Sequence, residues 1–129
     1  MKTYPLIGIR PVVDARLLGI REALEEKTRI MAEQAQRLIE STLHYADGTP
    51  ARCIIFSGSI GGGEEAARCE EEFSSQSVCA TLTVTPSWCY GSETLDMNPR
   101  TIKAIWGFNA TKRPGAVYLA CAMAAYGQM

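Results

Sequence analysis

Cys53-Ile54-Ile55-Phe56 is an unbroken apolar run, followed at once by Ser57-Gly58-Ser59-Ile60-Gly61-Gly62-Gly63 and then by helix-forming residues over 64–75. A short apolar run without polar alternation is what a strand covered on both faces requires, and such burial belongs to parallel sheets with helices above and below. The glycines break the chain. Glu64 and Glu65, in the first turn of the 64–75 helix, match the positive end of a helix dipole. Strand, turn and helix here make one unit of a parallel fold.

The same unit recurs on either side. Upstream, residues 4–10 are a short apolar segment stopping at Pro11, and a helical pattern runs from near Gly19 to about Tyr45, before Asp47-Gly48-Thr49-Pro50. Leu24, Thr28, Met31, Ala35, Leu38 and Thr42 fall three and four apart, with Ile20 and Leu43 widening the stripe, so the spacing predicts one buried face. Downstream, residues 78–84 alternate as a strand, 102–108 read as a fourth strand, and alanine-rich 116–126 reads as a helix entered through Pro114-Gly115. A shorter helical turn is expected within 92–101. Strands alternating with helices predict an α/β, Rossmann-like three-layer sandwich, with a mostly parallel, doubly wound sheet of about four strands and right-handed crossovers. At 129 residues this is one domain's worth of chain.

Ligands of such sheets collect beyond the carboxyl ends of the strands. That rule singles out the loops 10–16, 57–63, 85–93 and 108–113. The loop Thr85-Pro86-Ser87-Trp88-Cys89-Tyr90-Gly91-Ser92-Glu93 carries two aromatic rings past a proline that ends a strand. Trp88 and Tyr90 either pack on a ligand's apolar face, with indole N–H and phenol O–H making directed hydrogen bonds, or plug the top of the core. Arg10, Arg16 and Arg21 offer guanidinium forks suited to carboxylates, phosphates or vicinal hydroxyls. Arg10 and Arg21 have acids nearby, Asp14 and Glu22, whereas Arg16, in mid-loop, is expected to point outward. The glycines at 58–63 lack both the G-x-G-x-x-G spacing and the G-K-[ST] ending of a phosphate loop, so they suit a tight turn with close helix packing or an anion cradle. Glu93 and Asp96 suit a hard cation, an acid–base pair or a helix cap.

Composition narrows the function. A formal net charge of −1 sets up no field for nucleic acid or an anionic membrane, and the 47% hydrophobic content is that of an ordinary globular protein. Neither a signal peptide nor a membrane span is expected. The five cysteines are odd in number and show no C-x-x-C, which fits reduced cytosolic thiols. A nucleophilic Cys89 would need a base, and the one histidine, His44, is expected late in the first helix. Metal-ligand motifs and a G-x-S-x-G elbow are absent, so no catalytic residue is assigned within this chain.

Three strings are far longer than any short motif: Gly8-Ile9-Arg10-Pro11-Val12-Val13-Asp14-Ala15-Arg16, Gly19-Ile20-Arg21-Glu22-Ala23-Leu24-Glu25-Glu26, and the stretch from Thr85 to Glu93 with Asp96-Met97 beyond it. They closely resemble the amino-terminal region of L-fucose isomerases. So does Lys103-Ala104-Ile105-Trp106-Gly107-Phe108-Asn109-Ala110-Thr111, leading into Arg113-Pro114-Gly115-Ala116-Val117-Tyr118. The resemblance implies a cytoplasmic, homohexameric aldose–ketose isomerase acting on L-fucose and on D-arabinose, with Mn2+ held by a glutamate, an aspartate and a histidine of later domains. It implies that Arg16 and Trp88 contact substrate in a neighbouring subunit's active site, with Tyr90 in support. The later domains lie beyond residue 129, so the chain by itself is expected to be inactive. Two other functions fit the residues alone: a stand-alone binding module using the 58–63 turn for an anion, and a ligand-free assembly domain.

Overall fold

Strand β1 (Leu6–Pro11) is followed by α1 (Ile20–Thr42), β2 (Arg52–Ile55), α2 (Gly63–Ser75), β3 (Val78–Thr85), the single turn α3 (Gly91–Thr94), β4 (Ile102–Gly107) and α4 (Ala116–Tyr126) in the computed structural model. The structure describes residues 3–89, 91–109, 112 and 114–127, with 92 and 93 described by backbone alone. The sheet order is β2-β1-β3-β4, and every pairing is parallel.

The apolar run at 53–56 is divided between two cores. Cys53 and Ile55 pack with Met31, Ala32 and Ala35 of α1 on one face. Ile54 and Phe56 pack on the other, with Cys69 and Phe73 of α2, Leu95, and Tyr118 and Ala122 of α4. Alternate side chains thus enter opposite apolar layers, which is why no polar residue interrupts the run.

Two details of α1 differ from the periodicity. The helix stops at Thr42 because Leu43 turns extended and its carbonyl accepts the Ala51 N–H at 2.9 Å, while His44 bridges Pro50 in antiparallel fashion. Gly48, at φ +85°, makes the tight turn between them. The buried stripe runs through Thr28, Met31, Ala32 and Ala35, and leaves Leu38 63% and Leu43 52% exposed. Ala32 and Ala35 bring the helix axis close to the sheet, and Leu38 flanks that contact.

On the α1 side of the sheet, β4 is bare. Ile102, Ala104 and Trp106 pair with Ala80, Leu82 and Val84, and α1 does not reach them; Ile102 is 77% exposed. At the carboxyl end of the same strand, backbone meets backbone. A Cβ on Gly107 would lie 2.5 Å from the Gly115 carbonyl oxygen, and one on Gly115 would lie 2.6 Å from the Thr85 carbonyl oxygen. This approach sets α4 directly on the ends of β3 and β4, with the Phe108 N–H donating to Thr85 O and the Gly115 N–H to Phe108 O. Gly115→Ala is expected to cost about 3 kcal/mol, because neither partner is a movable side chain. Gly58→Ala, whose Cβ would meet the Phe56 ring at 3.1 Å, is expected to cost less than about 1 kcal/mol. Urea unfolding of the two variants checks the contrast, and equal losses would refute it.

Candidate functional site

β1 and β3 are neighbours, yet the chain leaves them for opposite faces of the sheet, α1 after β1 and α3 after β3. Their carboxyl ends therefore form the switch point of the sheet, the place where doubly wound sheets hold ligands. The loop after β1 is anchored on both sides: the Val12 N–H donates to Val84 O and the Val13 N–H to Ile60 O, each at 2.9 Å. Val12 and Val13 are wholly buried, so Asp14 emerges from a fixed backbone.

Arg16 and Trp88 meet at this switch point. The guanidinium carbon of Arg16 lies 4.6 Å from the centre of the Trp88 ring, within cation–π range, and one ring face is thereby covered. Trp88 is half-buried, neither a core plug nor a free surface ring. Arg16, expected to point outward, is instead tied to Asp14: Nε lies 3.0 Å from Oδ1 and Nη2 lies 2.6 Å from Oδ2. Next to Trp88, the Ser87 hydroxyl is buried with no hydrogen-bond partner among the described residues. Tyr90, Arg113 and the Glu93 side chain fall outside the described residues.

Of the other two arginines, Arg10 finds distant partners and Arg21 pairs both locally and across the fold. Arg10 is 3% exposed and donates to the Thr83 hydroxyl at 2.8 Å and to the Thr94 carbonyl at 2.7 Å. Arg21 reaches Glu25 and, across 44 residues, Glu65, with Nη2 to Oε2 at 2.6 Å. The hydrogen bond from Arg21 holds the Glu65 carboxyl below its ordinary value, and Glu65 in turn raises Arg21. Glu65 also accepts the Gly61 N–H at 2.9 Å. A donor of the 58–63 turn is thus taken by a carboxylate of the protein itself, which favours a packing turn over an anion cradle.

Asp96 is a structural acid. Its carboxylate accepts the hydroxyls of Thr81 at 2.6 Å and Thr101 at 2.7 Å, and the Asn98 N–H at 3.0 Å. Burial alone would raise its pKa, but these hydrogen bonds and the nearby Arg10 charge hold it below the ordinary 3.8. Asp96, Thr81 and Arg10 line a cavity of about 480 Å³ between α2 and residues 95–101, where α3 gives way to irregular chain and a turn. On its floor the Thr81 and Thr101 hydroxyls bond to Asp96 and Arg10 bonds outward to Thr83 and the Thr94 carbonyl, whereas the switch point presents a cation and an aromatic ring.

The Cys89 thiol is 8% exposed, and burial pushes its pKa up to about 12. His44 lies just before β2, at the amino ends of the parallel strands, whereas Cys89 follows the carboxyl end of β3. A Cys–His pair is therefore excluded by topology. Among the described residues no three His, Cys, Asp or Glu side chains group as metal ligands, so these residues do not fit a manganese site. No helix among them is long and apolar enough to cross a membrane.

These features define an α/β domain of doubly wound topology with a candidate small-molecule contact at its switch point. The sequence profile described as L-fucose isomerase, first N-terminal domain, matches residues 4–129. The chain belongs to that family. It is 60% identical over 128 residues to an L-fucose isomerase of Clostridium perfringens, covering 99% of this chain and 22% of the relative. A Bacteroides fragilis L-fucose isomerase is 56% identical over 128 residues, with the same shares. An L-fucose isomerase of Escherichia coli O139:H28 is 58% identical over 126 residues, covering 98% of this chain and 21% of the relative. The chain thus spans about a fifth of the length of the curated relatives it matches.

The lowered carboxylates make stability depend on pH. Folded Asp96 binds protons less readily than unfolded Asp96, so unfolding takes up a proton and stability falls as pH drops below 3.8. Glu65 acts with the same sign below 4.5. The urea midpoint is expected to fall between about pH 5 and pH 3, and Asp96→Asn to flatten that fall. A fall of unchanged steepness in the variant would refute the assignment. For the thiols, a disulfide reagent at pH 8 is expected to label exposed Cys121 first and Cys53, Cys69 and Cys89 only on unfolding. Mass mapping of the labelled sites checks this order.

Proposed function

We propose that this chain is the substrate-contacting, assembly-forming first domain of an L-fucose isomerase, an enzyme that interconverts L-fucose with L-fuculose and D-arabinose with D-ribulose. The Arg16 guanidinium donates to sugar hydroxyls and the exposed part of the Trp88 ring packs on the sugar, with Tyr90 in support. The observation that carries this reading is the contact between Arg16 and Trp88 at the switch point. A guanidinium beside an aromatic ring matches a polyol, which offers hydroxyl acceptors on its edges and C–H groups on its faces. The names of the relatives support L-fucose isomerisation, and the D-arabinose activity is what the family resemblance implies.

In this reading, chemistry and Mn2+ belong to later domains, the protein is cytoplasmic, and it works as a homohexamer in which this domain borders a neighbouring subunit's active site. Two bare apolar features favour such packing. Leu17 and Leu18 are 66% and 99% exposed at the loop tip beside Arg16, and the α1-side face of β4 is uncovered. Exposed apolar surface of this kind marks contact with further polypeptide. The free-standing anion module loses its support at Gly61, whose N–H is already bonded to Glu65.

A chimera joining this chain to the remaining four-fifths of the Clostridium perfringens enzyme tests the reading. Trp88→Ala and Arg16→Ala are each expected to raise the KM for L-fucose about tenfold, the loss of one stacking or charged contact, while leaving manganese bound. Wild-type kinetics in both variants would remove the two residues from the site. The 129-residue chain alone, assayed with Mn2+ and L-fucose, is expected to give no L-fuculose, and turnover there would overturn the division of labour.

A further inference from the structure

Arg16 is held by a single carboxylate at both of its ends. The backbone N–H of Arg16 donates to Asp14 Oδ1 at 3.1 Å, and so does its Nε at 3.0 Å. Nε also lies 3.1 Å from Oδ2, and Nη2 lies 2.6 Å from it. The Asp14 side chain is 1% exposed, whereas that of Arg16 is 40% exposed. A buried carboxylate grafted onto a rigid backbone thus grips a half-exposed arginine by its peptide and by one edge of its fork. A planar fork fixed along one edge has little freedom left, and its plane is then set by the carboxylate.

We propose that Asp14 is the positioning residue that holds the Arg16 guanidinium on the Trp88 ring and so presets the sugar-contacting pair at the switch point. The inference rests on the reading of Arg16 and Trp88 as sugar contacts, and goes beyond it by naming what orients them. Three facts combine. Val12 and Val13 are bonded to β3 and to Ile60, so Asp14 cannot follow a mobile loop. With Arg16 only two residues on, the carboxylate bonds the peptide and the head of the same residue. Leu18 and Gly19, at φ +66° and +95°, then turn the chain sharply into α1, so Arg16 sits between an anchored segment and a forced turn. Asp14 fixes the peptide and one edge of the fork of a half-exposed arginine, so the sugar meets a preset donor instead of ordering one on binding.

The test uses two readouts. In the 129-residue chain carrying Trp106→Phe, Trp88 is the one tryptophan, and its acrylamide quenching reports how well the guanidinium covers it. Arg16→Ala and Asp14→Asn are each expected to raise the quenching constant about twofold, and the double variant no further. In the chimera, Asp14→Asn is expected to raise the KM for L-fucose about tenfold with kcat within about twofold, and to add nothing in an Arg16→Ala background. Additive effects, or Asp14→Asn quenching equal to that of the parent, would overturn the positioning role. If Arg16→Ala leaves KM unchanged while quenching rises in both variants, the sugar-contact reading fails and the positioning contact stands. Should Asp14→Asn not fold by far-ultraviolet circular dichroism, the unsubstituted chain decides: nuclear Overhauser contacts between the Arg16 Nε–H and the Trp88 indole protons are expected, and their absence refutes the proposal.

Discussion

The hydrogen bond from the Val12 N–H to the Val84 carbonyl carries the β1–β3 ladder one residue past Pro11, which has no N–H of its own to give. The pairing of these two strands is the constraint on which the site depends. The chain departs from β1 toward one face and from β3 toward the other, which makes their joined ends the switch point of the sheet. Asp14 and Trp88 are delivered to that point by strands whose relative position the ladder has already set.

Burial then separates structural charge from presented charge. Arg10, Arg21, Glu65 and Asp96 each bond to groups of the protein itself, several across long sequence distances, and they stitch α1 to α2 and the sheet to the 95–101 segment. Taking such charges out of water is costly unless their bonds are met, and here they are met internally. Arg16 differs in being half in water while its carboxylate partner is buried. The ion pair offsets the cost of burying Asp14, and the half-exposed guanidinium lies over the Trp88 ring.

Much of this was legible in the chain. The apolar run at 53–56, the breakers at 47–50 and 58–63, and the proline after Thr85 place all four strands and the three long helices within a few residues of where they lie, and the carboxyl-end rule marks the right loops. Local reading went astray where a partner came from far away. Arg21 pairs locally with Glu25, not Glu22, and also binds the distant Glu65, and Leu38 fits the helical stripe but lies outside the face that the sheet covers. Arg16 is legible as a loop arginine, but its grip on Asp14 is not, because spacing of two residues says nothing about which of two charges is buried.

What the sequence by itself determined is the order and kind of elements, the parallel fold and the family, since periodicity, turn residues and long shared strings are all properties of contiguous chain. What only the tertiary structure decided is which side chains are partners: that Glu65 fills the glycine turn, that Asp96 serves the fold, and that Arg16 lies on Trp88 across 72 positions of sequence. Those choices turn on burial and on distances between strands, which no contiguous segment encodes, and burial sets whether a charged group must satisfy its neighbours or is free to meet a ligand.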